Sequence, residues 1–238
     1  MLENGLCVAG PVSSAFALSA PCPLALLPYV VSSKGRIDSV KLVRRQNVRE
    51  AKTLCYQLSP HSETGNLFAQ IVLWEKQKSQ AIVWVNEKKS ANDGWVEIGD
   101  PALINPVPNG FEELDLGEAW LKETGTEPVF AVWAVRCDLV PDSEKKEIKN
   151  AIDRSLREYH DDSDRYDLTA AKKLGLPLDS VKNYLKKISQ NLCHSHLVSL
   201  KTMATIGSTY KLLPQSSLKR VESWMEDKFL FDSWRSFE

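Results

Sequence analysis

Apolar and polar positions change rhythm several times along the chain. Residues 5 to 16 (Gly-Leu-Cys-Val-Ala-Gly-Pro-Val-Ser-Ser-Ala-Phe) predict a buried strand running into a small-residue turn. Residues 37 to 43 alternate apolar and polar side chains, a strand pattern, and Thr53 to Leu58 predicts another short strand. Ser59 to Gly65 is a turn loaded with helix-starting residues, and Leu67, Phe68, Ile71, Val72 and Trp74 follow it at near-helical spacing. Ala81 to Val85 and Trp95 to Ile98 are expected as strands, Leu116 to Glu123 as a helix, and Pro128 to Arg136 as a long apolar strand. Beyond Pro141 the pattern becomes helical. Asp142 is placed to cap a helix bearing Ile148, Ile152 and Leu156, and Asp179 to cap one bearing Val181, Tyr184, Leu185 and Ile188. Alternating strands and helices followed by a helical tail predict an α/β fold whose C-terminal helices pack back on the first lobe.

Charge is distributed unevenly. Residues 4 to 33 carry no charged side chain, although the 238-residue chain is 26% charged and 43% hydrophobic. That composition excludes a disordered chain, and the length allows two lobes. The uncharged start invites reading as an export signal or a membrane span. However, its only early charge is Glu3, and Pro11, Pro21, Pro23 and Pro28 interrupt any spanning helix. Buried strands and loops are the expectation instead. With 30 Lys+Arg against 31 Asp+Glu, the net charge of −1 argues against nucleic acid or an anionic membrane as partner. The five cysteines include no CxxC pair, which suits a reducing compartment without a disulfide framework or structural zinc. In Cys193-His194-Ser195-His196 the two histidines would point about 200° apart on a helix, so a helix surface is expected there rather than a metal nook. The lysine pairs at 172–173 and 186–187 are expected on solvated helix faces.

Candidate chemistry concentrates where strands end and helices begin. Ser62 and Thr64 could present hydroxyls and helix N–H groups to a carboxylate, or could simply cap a helix. Ser13 and Ser14, after the first strand, have the same two readings: anion contact or polar turn. Asp100, in Ile98-Gly99-Asp100-Pro101, could be an acid in a site wall or part of an Asp-Pro turn. Asp115 reads as a helix cap followed by a core Trp120, and His61 as a possible acid or base or a solvent-facing loop residue. No phosphate-binding loop, GxGxxG, HExxH or G-x-S-x-G motif is present.

Several segments together resemble the chorismate dehydratase family of the futalosine route to menaquinone. Ser62-Glu63-Thr64-Gly65 resembles its Ser-x-Thr-Ser anion turn, with Gly65 where that family carries a hydroxyl. Ile98 to Leu103 is similar to its strand end "IGDxAL". Asp115-Leu116-Gly117-Glu118-Ala119-Trp120, Thr124-Gly125 and Pro128 to Ala134 resemble "DLGxxW…TG…PFVFAVW". Gly5 to Ser14, Arg36 to Val43 and Asn183-Tyr184-Leu185 extend the likeness over residues 2 to 206, leaving 208 to 238 as an extension. The resemblance implies a two-lobe, type II solute-binding-protein-like clamshell with a helical C-terminal part. One lobe would comprise 1–43 with 136–238, and the other 44–135. It implies a cytoplasmic enzyme without a cofactor that removes water from chorismate, a small dicarboxylate, to give 3-((1-carboxyvinyl)oxy)benzoate. The substrate-binding residues would be Ser13, Ser14, Ser62, Thr64, Gly65 and Asp100, with no catalytic residue assigned. It further implies an earlier strand ending in a Tyr-Leu-Asn-like turn, expected upstream of Met1, or else a first lobe that has lost its first βα unit. The sister enzyme 1,4-dihydroxy-6-naphthoate synthase, which needs a histidine in its cleft, and a non-catalytic anion-binding protein are the alternatives.

Overall fold

The computed structural model describes residues 1–48, 51–76, 80–87 and 92–234. From the N terminus come β1 (Ala9–Ser13), α1 (Ser14–Ser19), β2 (Leu24–Ser33), β3 (Val40–Arg45), β4 (Thr53–Gln57) and α2 (Glu63–Lys76). Then follow β5 (Ala81–Val85), β6 (Gly94–Ile98), α3 (Asp100–Ile104), β7 (Phe111–Asp115), α4 (Leu116–Thr124) and β8 (Val129–Arg136). The tail holds α5 (Asp142–Asp161), α6 (Ser163–Leu174), α7 (Leu178–Leu185), β9 (Ile188–Asn191), α8 (His194–Thr209), α9 (Ser216–Met225) and α10 (Lys228–Trp234). The strands form two sheets. One has the order β1-β8-β2-β9 with antiparallel neighbours. The other has the order β5-β4-β6-β3-β7, in which β4 runs parallel to β5 and β6 while β3 runs antiparallel to β6 and β7.

The last third of the uncharged start is explained by β2. It lies between β8 and β9, and every residue in it except Val31 is buried. A strand paired on both edges and covered on both faces has no place for a charge. Pro28 would ordinarily disfavour such a central strand. Here the β2–β8 register shifts between Leu26 and Val30, so the proline sits in a bulge where no ladder N–H is required.

The first strand differs from expectation. Only Ala9–Ser13 is extended, Leu6 and Val8 are exposed, and Ser14–Ser19 is a short helix rather than a turn. Because β1 is an edge strand, its outer side has no neighbour to bury it. Arg136 N–H donates to Val8 O at 2.9 Å, which sets the phase of the β1–β8 ladder. Gly10 and Val12 face β8, while Ala9, Pro11 and Ser13 turn their backbone outward. Pro11, without an N–H, therefore sits where an added strand would need a donor.

The chain changes sheets between Ser33 and Val40 and again between Asp115 and Val129. The expected divisions at 43/44 and 135/136 fall inside β3 and β8. A single buried carboxylate ties the crossings together. Asp115 accepts N–H bonds from Gly117 and Glu118, capping α4 as expected, and from Ile37 and Asp38 in the first crossing. The approach is so close that a Cβ on Gly117 would lie 2.4 Å from Gly35 O, which accounts for the glycine of the Asp-Leu-Gly motif. Lys187 is not on a solvated helix face; it follows α7 and pairs with Asp38.

Both sheets share one apolar core. Phe68 of α2 stacks on Trp120 of α4 at 4.3 Å and meets Phe130 of β8 edge-on at 5.6 Å. The tail packs back on the first sheet's helix, as the sequence led us to expect. Ser217 donates to Leu18 O, Arg220 to Ala17 O and Ala20 O, and buried Trp224 to Leu24 O at 2.8 Å. The Ser217 and Arg220 bonds satisfy carbonyls that the end of α1 leaves open, and the Trp224 bond holds the start of β2. Three finer expectations fail. The caps of α5 and α7 are Pro141 and Pro177; Asp142 instead pairs with Lys145 and Asp179 lies inside its helix. Ile188 begins β9, since α7 ends at Leu185. Trp74 lies in α2 as its spacing predicts, is 56% exposed and stacks on Tyr210 at 4.9 Å.

Candidate functional site

Two helix starts from opposite sheets meet at one cavity of about 620 Å³. Ser13, Phe16 and Trp133 come to it from the first sheet and α1, and His61, Ser62 and Glu63 from the turn ahead of α2. Ser13 ends β1 and caps α1: its Oγ accepts the Phe16 N–H at 3.1 Å and donates to Glu63 Oε2 at 3.3 Å. Ser62 plays the same part for α2, its Oγ accepting the Gly65 N–H at 2.9 Å. Capping uses the hydroxyl oxygen as acceptor and leaves the Ser62 proton to donate to a ligand. The turn is held by Asn66, which bonds both the N–H and the carbonyl of Ser59 at 2.8 Å.

The other expected residues take different places. Thr64 is buried behind the turn, and its Oγ1 accepts the Ala15 N–H at 3.1 Å, joining the two helix starts. Ser14 is fully buried, and among the described residues its Oγ has no hydrogen-bond partner. Gly65 admits no side chain without displacement, because a Cβ there would lie 2.8 Å from Ser62 Oγ and 3.2 Å from Val40 Cγ1. Asp100 does not line the cavity. It opens α3 in an exposed position, near Tyr184, whose hydroxyl donates to Ser39 Oγ at 3.0 Å. Burial, with Asp100 and Asp38 adding to it, pushes the Tyr184 phenol above its ordinary value.

Pattern reading missed three residues here. Trp133 was legible in principle, since strict alternation along β8 sends Ala131 and Trp133 to the face opposite Val132 and Ala134. Phe16 falls in the expected small-residue turn, which is in fact the first turn of α1. Asn66 gives no local signal, because its role depends on how the turn folds back.

No lysine or arginine among the described residues lines the cavity. An anion there would be met by the Ser62 hydroxyl and the positive end of α2, against the Glu63 carboxylate that holds the Ser13 proton, with Phe16 and Trp133 as an apolar wall. Among the described residues no three His, Cys, Asp or Glu side chains come together to hold a metal ion. Nor is any helix long and apolar enough to cross a membrane.

The Cys193–His196 segment corrects an expectation. It opens α8 with Cys193 exposed, but His196 is only 3% exposed, turned inward against Ser32 and Glu127. Burial lowers the His196 imidazole below its ordinary value, against the opposing pull of Glu127.

A family model described as menaquinone biosynthesis matches residues 1–209. No curated protein matches the chain. Among solved structures, protein AF1704 from Archaeoglobus fulgidus is similar, with TM-score 0.68 and 15% identity over 89% of this chain and 84% of that one. The periplasmic aliphatic sulphonate binding protein SsuA from Escherichia coli has TM-score 0.57 and 14% identity over 92% and 80%. The alkanesulfonate-binding protein SsuA from Xanthomonas axonopodis pv. citri has TM-score 0.56 and 14% identity over 90% and 78%. These likenesses identify the fold as type II solute-binding-protein-like.

Proposed function

This chain belongs to the menaquinone-biosynthesis family, and on that premise we propose that it is a cytoplasmic chorismate dehydratase. The two sheets with their helices form two lobes, and the cavity between the two helix starts receives the substrate. The observation that carries the reading is the pairing of Ser13 and Ser62, each at a helix start of a different sheet, on one cavity with an apolar aromatic wall. Chorismate presents two carboxylates and an apolar ring, and this lining offers the Ser62 hydroxyl as donor, the end of a helix and two aromatic side chains.

In the reaction the ring hydroxyl leaves, the adjacent ring carbon gives up its proton, and water and an aromatic ring result. Aromatisation makes the step strongly downhill, so holding the substrate and excluding water can supply much of the catalysis. A carboxylate of the substrate itself accepts the proton, and no side chain acts as the base. The ionisable side chains lining the cavity are His61 and Glu63, apart from the Cys7 thiol.

Incubating the purified chain with chorismate and following the benzoate product by chromatography tests this reading. Product is expected, and His61→Ala and Glu63→Gln should each retain turnover within about tenfold of the parent. Abolished turnover in either variant, with chorismate still bound, rules out the substrate-assisted step and makes that side chain the base. The fold shared with sulphonate-binding proteins supports a second reading, a carrier of a small anion. Tight chorismate binding without product would select it.

A further inference from the structure

At the start of α8, away from the cavity, a thiol, an imidazole and a carboxylate stand in line. Cys193 is an exposed residue, and its Sγ lies 3.2 Å from His196 Nδ1 and 3.1 Å from Ser195 Oγ and accepts the His196 backbone N–H. Nδ1 accepts the Cys193 backbone N–H at 3.1 Å, so that nitrogen carries no proton and its lone pair faces both Cys193 donors. The ring proton is then on Nε2, which meets Ser32 Oγ at 2.8 Å and Glu127 Oε2 at 3.2 Å. Ser32 comes from β2 and Glu127 from the crossing between α4 and β8, so distant parts of the chain hold the ring in place.

A nucleophile, a base with its lone pair toward the sulfur, and a carboxylate orienting the far nitrogen are the parts of an activated thiol. We propose that Cys193 is a reactive cysteine, activated by His196 with Glu127 as positioning residue, and a site of covalent modification by soft electrophiles. His196 Nδ1 takes the thiol proton while the sulfur pair forms the new bond. The electrophile's leaving group departs with its own electron pair. The imidazolium is balanced by Glu127, and the sulfur during attack by Ser195, the His196 N–H and the positive end of α8. Cys7, also exposed, is arranged differently: its S–H donates to Ala9 O at 3.0 Å, and among the described residues no imidazole bonds to it.

Iodoacetamide is a direct probe: an S–C bond forms, the C–I bond breaks and iodide leaves. The full chain is labelled at neutral pH, and each cysteine is followed over time by peptide mass spectrometry, with Cys7 as internal reference. Cys193 is expected to label about tenfold faster than Cys7 in the folded chain and at a similar rate in urea. His196→Gln should bring Cys193 close to Cys7. Glu127→Gln, at a partly exposed position, should lower the Cys193 rate without unfolding the chain. Native labelling of Cys193 no faster than Cys7 overturns the proposal, and an unchanged rate in Glu127→Gln removes Glu127 from it.

Discussion

Four hydroxyl residues that look alike in the sequence are used in different ways. Ser13 and Ser62 cap helices and stay at the cavity, Thr64 turns inward to bond Ala15 N–H, and Ser14 is buried without a partner among the described residues. Capping was readable, because it depends on residues three positions apart. Which hydroxyl kept a free side was not, because that depends on a helix some fifty positions away. His196 carries a residue-scale consequence for stability. Burial holds its imidazole below the ordinary histidine value, so in acid the unfolded chain takes up a proton before the folded one does. Its contribution therefore favours folding above about pH 6.5 and is lost as pH falls below that. Thermal melts from pH 7.5 to 5.5 should show the parent chain losing stability more steeply than His196→Gln; parallel slopes would exclude this account.

Among the elements, those with strong local signals were legible. Ala81–Val85 is a strand as expected, α2 keeps Leu67, Phe68, Ile71 and Val72 buried at helical spacing, and Asp115 opens α4. Elements set by their neighbours were not. β2 takes a proline only because its register with β8 slips, and β7 (Phe-Glu-Glu-Leu-Asp) has little apolar pattern and is a strand because β3 pairs with it. β1 is the edge of its sheet, with Pro11 in the outward-facing set. Replacing that residue restores an outward N–H and opens the edge to another strand. Pro11→Thr should raise self-association over the parent chain, read as a concentration-dependent rise in sedimenting mass. An unchanged mass would show that the proline does not guard the edge.

At the scale of the molecule, the two sheets share the Phe68–Trp120–Phe130 cluster and are bound at their crossing by Asp115. Neither lobe can lose its packing without exposing the other's aromatic rings. Unfolding should therefore be one transition, with tryptophan fluorescence and far-ultraviolet circular dichroism superimposing. Phe68→Ala should cost about 3–5 kcal/mol and shift both probes together. Separate midpoints would mean that the lobes unfold independently.

The sequence by itself determined the α/β alternation, the helical tail, the starts of α2 and α4 and the absence of a membrane-spanning helix at its uncharged beginning. These rest on periodicity, capping and proline geometry, which act over a few residues. Only the tertiary structure decided that Ser13 and Ser62 meet at one cavity while Asp100 does not, that Asp115 serves two crossings, and that His196 lies buried between Cys193 and Glu127. Those are contacts between distant parts of the chain, made by sheet pairing and shared burial, and no local pattern encodes them.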